Sequence, residues 1–176
     1  MQRVVLDSTI LVSAFLTRKG VSAELLRSTS GEAFSLYLCR EILEETGRVL
    51  LEHQRIRSRY RYRDDQVVRF VEGLSVAARM VKRLPNIKGV VRDSTDDMVL
   101  ACCLKAHADY LVTRDEDLLT LKRYKRTAIH PPDGLWRSSG QLTIQESDGV
   151  RNANRQSMLF RIYFILSTID GIGVVS

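Results

Sequence analysis

Two short apolar runs in this chain lead directly to aspartates. Val4-Val5-Leu6 runs into Asp7, and Leu111-Val112-Thr113 is followed, one residue later, by Asp115. Runs this short and this rich in β-branched residues read as strands covered on both faces. Further strands are expected at 34–39, at 78–84 (ended by Pro85) and at 127–129, before Pro131 and Pro132. Between them lie helical stretches. Residues 9–16 and 21–27 read as a pair broken at Gly20, and 41–51 places Ile42, Leu43, Val49 and Leu50 at helical spacing. Val67, Val68, Phe70, Val71 and Leu74 mark another helix, opened by the acidic pair Asp64 and Asp65. Residues 94–106 follow a capping-box pattern from Ser94 to Asp97, and Leu118, Leu119 and Leu121 mark a short last helix. Alternation of this kind predicts an α/β fold with a mostly parallel sheet and helices on both faces. Such sheets bind ligands beyond the carboxyl ends of their strands, where Asp7 and Asp115 fall.

At 176 residues, with 44% hydrophobic and 27% charged side chains, the chain suits one folded domain with an appendage. The composition shifts near Arg137, so we read residues 1–136 as the domain and 137–176 as a C-terminal extension. Within the extension, residues 158–169 are apolar and place Phe160 and Phe164 at helical spacing, which suits core or partner packing. Arg161 and Asp170 interrupt the wider apolar stretch 158–175, whose longest uncharged run, 162–169, is too short to span a bilayer, so no membrane span is expected. Cys39, Cys102 and Cys103 have no metal-knuckle spacing and read as small core residues in a reducing cytosol. The N-terminus has no apolar signal core, and a cytoplasmic location is expected. His53, His107 and His130 are scattered and form no triad.

The acids carry the chemistry. Asp7 and Asp115 follow strands, Asp117 lies two residues further on, Asp96 and Asp97 open a helix, and Glu45 sits within one. Carboxylates gathered in one cleft repel each other unless a cation joins them. Oxygen-only donors point to Mg²⁺ or Mn²⁺ rather than Zn²⁺, and a hard cation suits phosphate chemistry. Each acid also has an ordinary structural reading, as a turn, a helix cap or a solvated helix residue.

Four segments, in order, resemble the PIN-domain family, in particular its prokaryotic toxin–antitoxin branch. They are Val-Val-Leu-Asp-Ser-Thr-Ile-Leu-Val-Ser-Ala (4–14), Glu-Ile-Leu-Glu-Glu-Thr-Gly-Arg-Val-Leu (41–50), Arg-Asp-Ser-Thr-Asp-Asp-Met-Val-Leu-Ala (92–101) and Ala-Asp-Tyr-Leu-Val-Thr-Arg-Asp-Glu-Asp-Leu-Leu (108–119). The resemblance implies a three-layer α/β/α domain and a metal-dependent ribonuclease. It implies a catalytic set of Asp7, Glu45, Asp97 and Asp115, with the cation on Asp7, Asp97 and Asp115. Asp96 competes closely with Asp97, and Asp117 is a secondary candidate. Ser8, Thr9 and Thr113 would support these acids. Thr9 stands where the family usually has Asn, which trades an amide for a hydroxyl. An RNA substrate, a protein antitoxin and a homodimer are further implications.

Two alternatives follow from the residues. A non-catalytic RNA- or partner-binding module would account for Thr9. An aspartyl phosphatase of the haloacid-dehalogenase type would need a second acid at position 9, which is Thr. Gly-rich phosphate loops are absent from the sequence. Residues 48–63 carry six arginines against the single acid Glu52, a local charge of 6 − 1 = +5. Arg55, Arg57, Arg59, Tyr60 and Arg61 therefore form a candidate RNA track, with Arg on phosphates and Tyr stacking on bases.

Overall fold

The computed structural model describes residues 1–28, 34–91, 94–134 and 173–174. The elements run β1 (Gln2–Leu6), α1 (Ser8–Leu16), α2 (Val21–Ser28), β2 (Phe34–Cys39), α3 (Arg40–Glu52), α4 (Gln54–Arg59), β3 (Tyr60–Arg61) and α5 (Asp64–Ala77). They continue with β4 (Arg79–Val81), α6 (Ser94–Ala106), β5 (Tyr110–Val112), α7 (Glu116–Thr120), β6 (Arg123–Tyr124), β7 (Thr127–His130) and β8 (Gly173–Val174). Six strands form one sheet in the order β4-β2-β1-β5-β7-β6. Every pairing in it is parallel except that of the edge strand β6 with β7. The expected α/β fold with a mostly parallel central sheet is therefore present.

The chain builds outward from β1 in both directions. β2 and β4 lie on one side of it, and β5, β7 and β6 on the other. The order reverses between β1 and β5, and the crevice above such a reversal is where open α/β sheets bind ligands. Val4, Val5 and Leu6 are fully buried, as a central strand covered on both faces requires. α6 packs on β1, β2 and β4, while α1 and α5 both pack on α3.

An aromatic cluster anchors the helical layer. Phe15 meets Phe70 and Tyr62 with ring centroids 5.1 Å apart in each case. The Tyr62 hydroxyl donates to the Leu50 carbonyl at 2.6 Å, which gives this half-buried phenol a partner. The Arg57 guanidinium covers the outer face of the same ring, 4.8 Å from its centroid.

Some boundaries differ from the sequence reading. The strand expected at 78–84 is only Arg79–Val81, because Arg83 turns with φ 56°. The basic run at 54–61 forms α4 and β3, and Tyr60 and Arg61 pair antiparallel with Val174 and Gly173. The end of the extension thus reaches the domain. The apolar segment 158–169 lies outside the described residues. Among the described residues, no helix is long and apolar enough to cross a membrane.

The three cysteines are buried, as expected of core residues. The hydrogen bond that the Cys102 S–H donates to Cys39, together with burial, pushes the Cys102 thiol well above its usual range, and burial does the same to Cys103. Thiolate, the reactive form, is suppressed. We expect no reaction of Cys102 or Cys103 with a disulfide reagent at pH 8 in the folded protein, and full reaction in denaturant. Rapid native labelling of either would contradict this packing.

Candidate active site

A cleft of about 270 Å³ opens above the reversal point between β1 and β5. Asp7, Ser8 and Thr9 line it from the end of β1, and Asp115 and Asp117 from the turn after β5. α3 contributes Glu41, Glu45 and Arg48, and α6 contributes Asp96. Six carboxylates face one guanidinium, a formal lining charge of 1 − 6 = −5. Strand ends and helix starts meet here because the parallel strands all finish on this side, each connection then carrying the chain back to the opposite end of the sheet.

Asp7 is the best-held of the acids and is only 3% exposed. Its Oδ1 accepts from the Ser8 N–H at 2.6 Å, capping α1. Its Oδ2 accepts from two hydroxyls, Thr9 Oγ1 and Thr113 Oγ1, each at 2.7 Å. Both hydroxyls also accept from the loop carrying Asp115. The Arg114 N–H donates to Thr9 at 3.1 Å and the Asp115 N–H donates to Thr113 at 2.9 Å. Two threonines therefore tie the end of β1 to the end of β5. In this way Thr9 makes a hydroxyl contact to Asp7 where the resemblance expects an amide.

Asp115 caps α7, its Oδ1 accepting from the N–H groups of Asp117 and Leu118 at 2.9 and 3.2 Å. The cap holds the carboxylate at the cleft and leaves Oδ2 outside that cap. Glu45 is gripped by Arg48, whose Nη2 and Nε lie 2.5 and 3.1 Å from Glu45 Oε2. Glu41, Glu45 and Arg48 share one helix face at positions i, i+4 and i+7. That spacing could have flagged Glu41 and Arg48 as cleft residues, and the sequence reading assigned neither to the site.

Asp97 departs from its expected place. It is 4% exposed and turns toward the loop before α6. Its Oδ2 accepts from the Gly89 N–H at 2.7 Å, and its Oδ1 from Val90 and Val91 at 3.1 and 3.3 Å. Asp96 lines the cleft instead. Successive helical residues point about 100° apart, and here Asp96 turns to the cleft while Asp97 turns to the N–H groups of the preceding loop. Asp7, Glu45, Asp96, Asp115 and Asp117 are brought together, and Asp97 stands apart from them.

The basic candidates lie elsewhere. Arg57 is committed to the Tyr62 ring and to Asp64 at 2.8 Å. Arg59 approaches the Tyr60 ring at 5.9 Å, while Arg55, Arg59 and Arg61 remain exposed. The end of α3 stands seven residues from Glu45, about 10 Å along the axis, before α4 begins.

The PIN-domain description matches residues 3–117, well over half of the chain. The chain belongs to the PIN-domain family. No curated protein matches it. PIN domains are typically nucleases and generally use divalent metal ions. The donor set here fits such an ion in kind, since every ligand candidate in the cleft is a carboxylate oxygen and the lining charge is strongly negative. Among the described residues, however, no three His, Cys, Asp or Glu side chains stand close enough to form a ready-made metal group.

The threonine ties should have a measurable energy. Thr113→Val keeps the shape but strips one donor from a buried carboxylate and one acceptor from the Asp115 N–H. We expect a loss of about 1–3 kcal/mol in denaturant-melt stability. Unchanged stability would show that these contacts do not bind the two strand ends together.

Proposed function

We propose that this PIN domain is a metal-dependent endoribonuclease acting in the cytoplasm as the toxin of a toxin–antitoxin pair. The observation that carries this reading is the acidic cleft at the strand reversal, with Asp7, Glu45, Asp96 and Asp115 on its walls. Asp7, Asp96 and Asp115 would hold Mg²⁺ or Mn²⁺, with Asp117 as a further ligand. When bound, the ion supplies positive charge for the phosphoryl oxygen and acidity for a water. Thr9 and Thr113 fix the Asp7 carboxylate so that it need not reorganise during the reaction. Glu45 accepts a proton from the attacking water, and Arg48 keeps it aimed into the cleft. The water oxygen bonds to phosphorus in line as the bond to the departing ribose oxygen breaks. Residues 1–136 form the catalytic unit, with 137–176 as an appendage. A protein antitoxin and a second copy of the chain are its expected partners.

A second reading is a PIN-like module that binds RNA or a partner without cutting. The absence of a ready-made metal group among the described residues favours it. One experiment separates the two. We expect Mn²⁺ to raise the melting temperature, by about 2.7 kcal/mol of stability at a hundredfold excess over the dissociation constant. RNA cleavage should accompany the shift, and Asp7→Asn and Asp96→Asn should each weaken the shift and abolish cleavage. Intact cleavage in Asp7→Asn would sink the assignment. RNA binding with neither cleavage nor a metal shift would establish the module.

The α4 track has its own test. Arg57 is best left intact because it holds Tyr62 and Asp64. Replacing Arg55, Arg59 and Arg61 with Gln should weaken RNA binding and reduce the log–log salt slope by roughly 0.7 per lost phosphate contact. A triple variant with the parent's affinity and slope would make the segment an ordinary solvated surface.

A further inference from the structure

The segment between β4 and α6 carries charge opposite to that of the cleft. From Lys82 to Val91 it contains Lys82, Arg83 and Lys88 and no acid, a local charge of +3. All three side chains are exposed, and none is ion-paired with another described residue. The segment leaves the carboxyl end of β4, the sheet edge, and enters α6, which packs on β1, β2 and β4 and leads to β5. It therefore runs at the same end of the sheet as the cleft and reaches it at Asp96.

The segment is also held in place. Three successive N–H groups, from Gly89, Val90 and Val91, converge on the buried Asp97 carboxylate. A run of backbone amides around one anion is a nest, and Gly89 makes the turn with φ 72°. At the other end Arg83 occupies the left-handed region, φ 56°, where glycine would fit without strain. Arginine is present there despite that cost, with its charge directed to solvent.

We propose that residues 82–91 form a phosphate-binding strip that guides single-stranded RNA into the acidic cleft, with Asp97 as the positioning residue that anchors it. This rests on the ribonuclease reading above. A polyanion is repelled by a cleft of formal charge −5, and fixed positive charge at the same end of the sheet lowers that barrier. Lys82, Arg83 and Lys88 contact phosphates. Asp97 acts through the loop backbone and does not touch the substrate.

The test measures binding of a single-stranded RNA oligonucleotide in chelator, Mn²⁺ binding by calorimetry, and cleavage kinetics. Replacing Lys82, Arg83 and Lys88 with Gln should reduce the log–log salt slope by roughly 2, three contacts at about 0.7 each. It should raise KM far more than it lowers kcat, and leave Mn²⁺ affinity unchanged. Arg83→Gly should weaken RNA binding without lowering the melting temperature. Asp97→Asn and Gly89→Ala should both weaken RNA binding while Mn²⁺ affinity is retained, whereas Asp96→Asn should lose Mn²⁺ affinity. Gly89→Ala alters the anchor without touching a carboxylate, so it stands in if Asp97→Asn fails to fold. A triple Gln variant with the parent's affinity and slope overturns the strip alone. Loss of Mn²⁺ affinity in Asp97→Asn, with RNA binding intact, overturns the anchor. A parent chain that binds no RNA overturns both this inference and the ribonuclease reading.

Discussion

The Asp7 carboxylate is held by two threonine hydroxyls that belong to different parts of the fold. Thr9 comes from the start of α1 and Thr113 from the end of β5, and both converge on Oδ2 at 2.7 Å. Each hydroxyl passes the constraint on by accepting a backbone N–H from the loop that carries Asp115. The result is a closed set of hydrogen bonds across the point where the sheet reverses its direction of growth. A polar group this buried is tolerable only when its lone pairs are satisfied. The same bonds that stabilise it fix the spacing of Asp7 and Asp115.

Charge is distributed in a way that follows from this arrangement. The cleft gathers carboxylates because several chain segments end there, and its lining is strongly negative. Basic residues are placed on exposed segments around the domain, in α4 and in the segment 82–91. A domain that collects negative charge at its site and must admit a nucleic acid needs both components. Arg48 is the exception that enters the cleft, where it is paired with Glu45.

Much of the fold was legible in the sequence. Val4–Leu6 and Leu111–Val112 are dense apolar runs, and dense runs bounded by polar residues read as buried strands. Asp7 and Asp115 could be placed at carboxyl ends for the same reason. The choice between Asp96 and Asp97 could not, because spacing along the chain does not fix which of two adjacent helical residues faces a cleft. It depends on the contact between Asp97 and the N–H groups of residues 89–91, which is a tertiary fact. Arg57 belongs to a basic run that reads as a nucleic-acid track, and the structure lays its guanidinium over Tyr62, a ring whose position the sequence does not give. The pairing of Tyr60 and Arg61 with Val174 and Gly173 was equally out of reach, since two-residue strands leave no periodic signal.

On the proposed function, the acids at the strand reversal, and not Asp97, form the cation site. A crystal of the protein soaked in Mn²⁺ and measured at the manganese absorption edge tests it directly. The expected result is anomalous density in the cleft, ligated by Asp7, Asp96 and Asp115, with Asp97 still bonded to the N–H groups of residues 89–91. Density on Asp97 with that loop displaced, or no density in the cleft at saturating Mn²⁺, would contradict it.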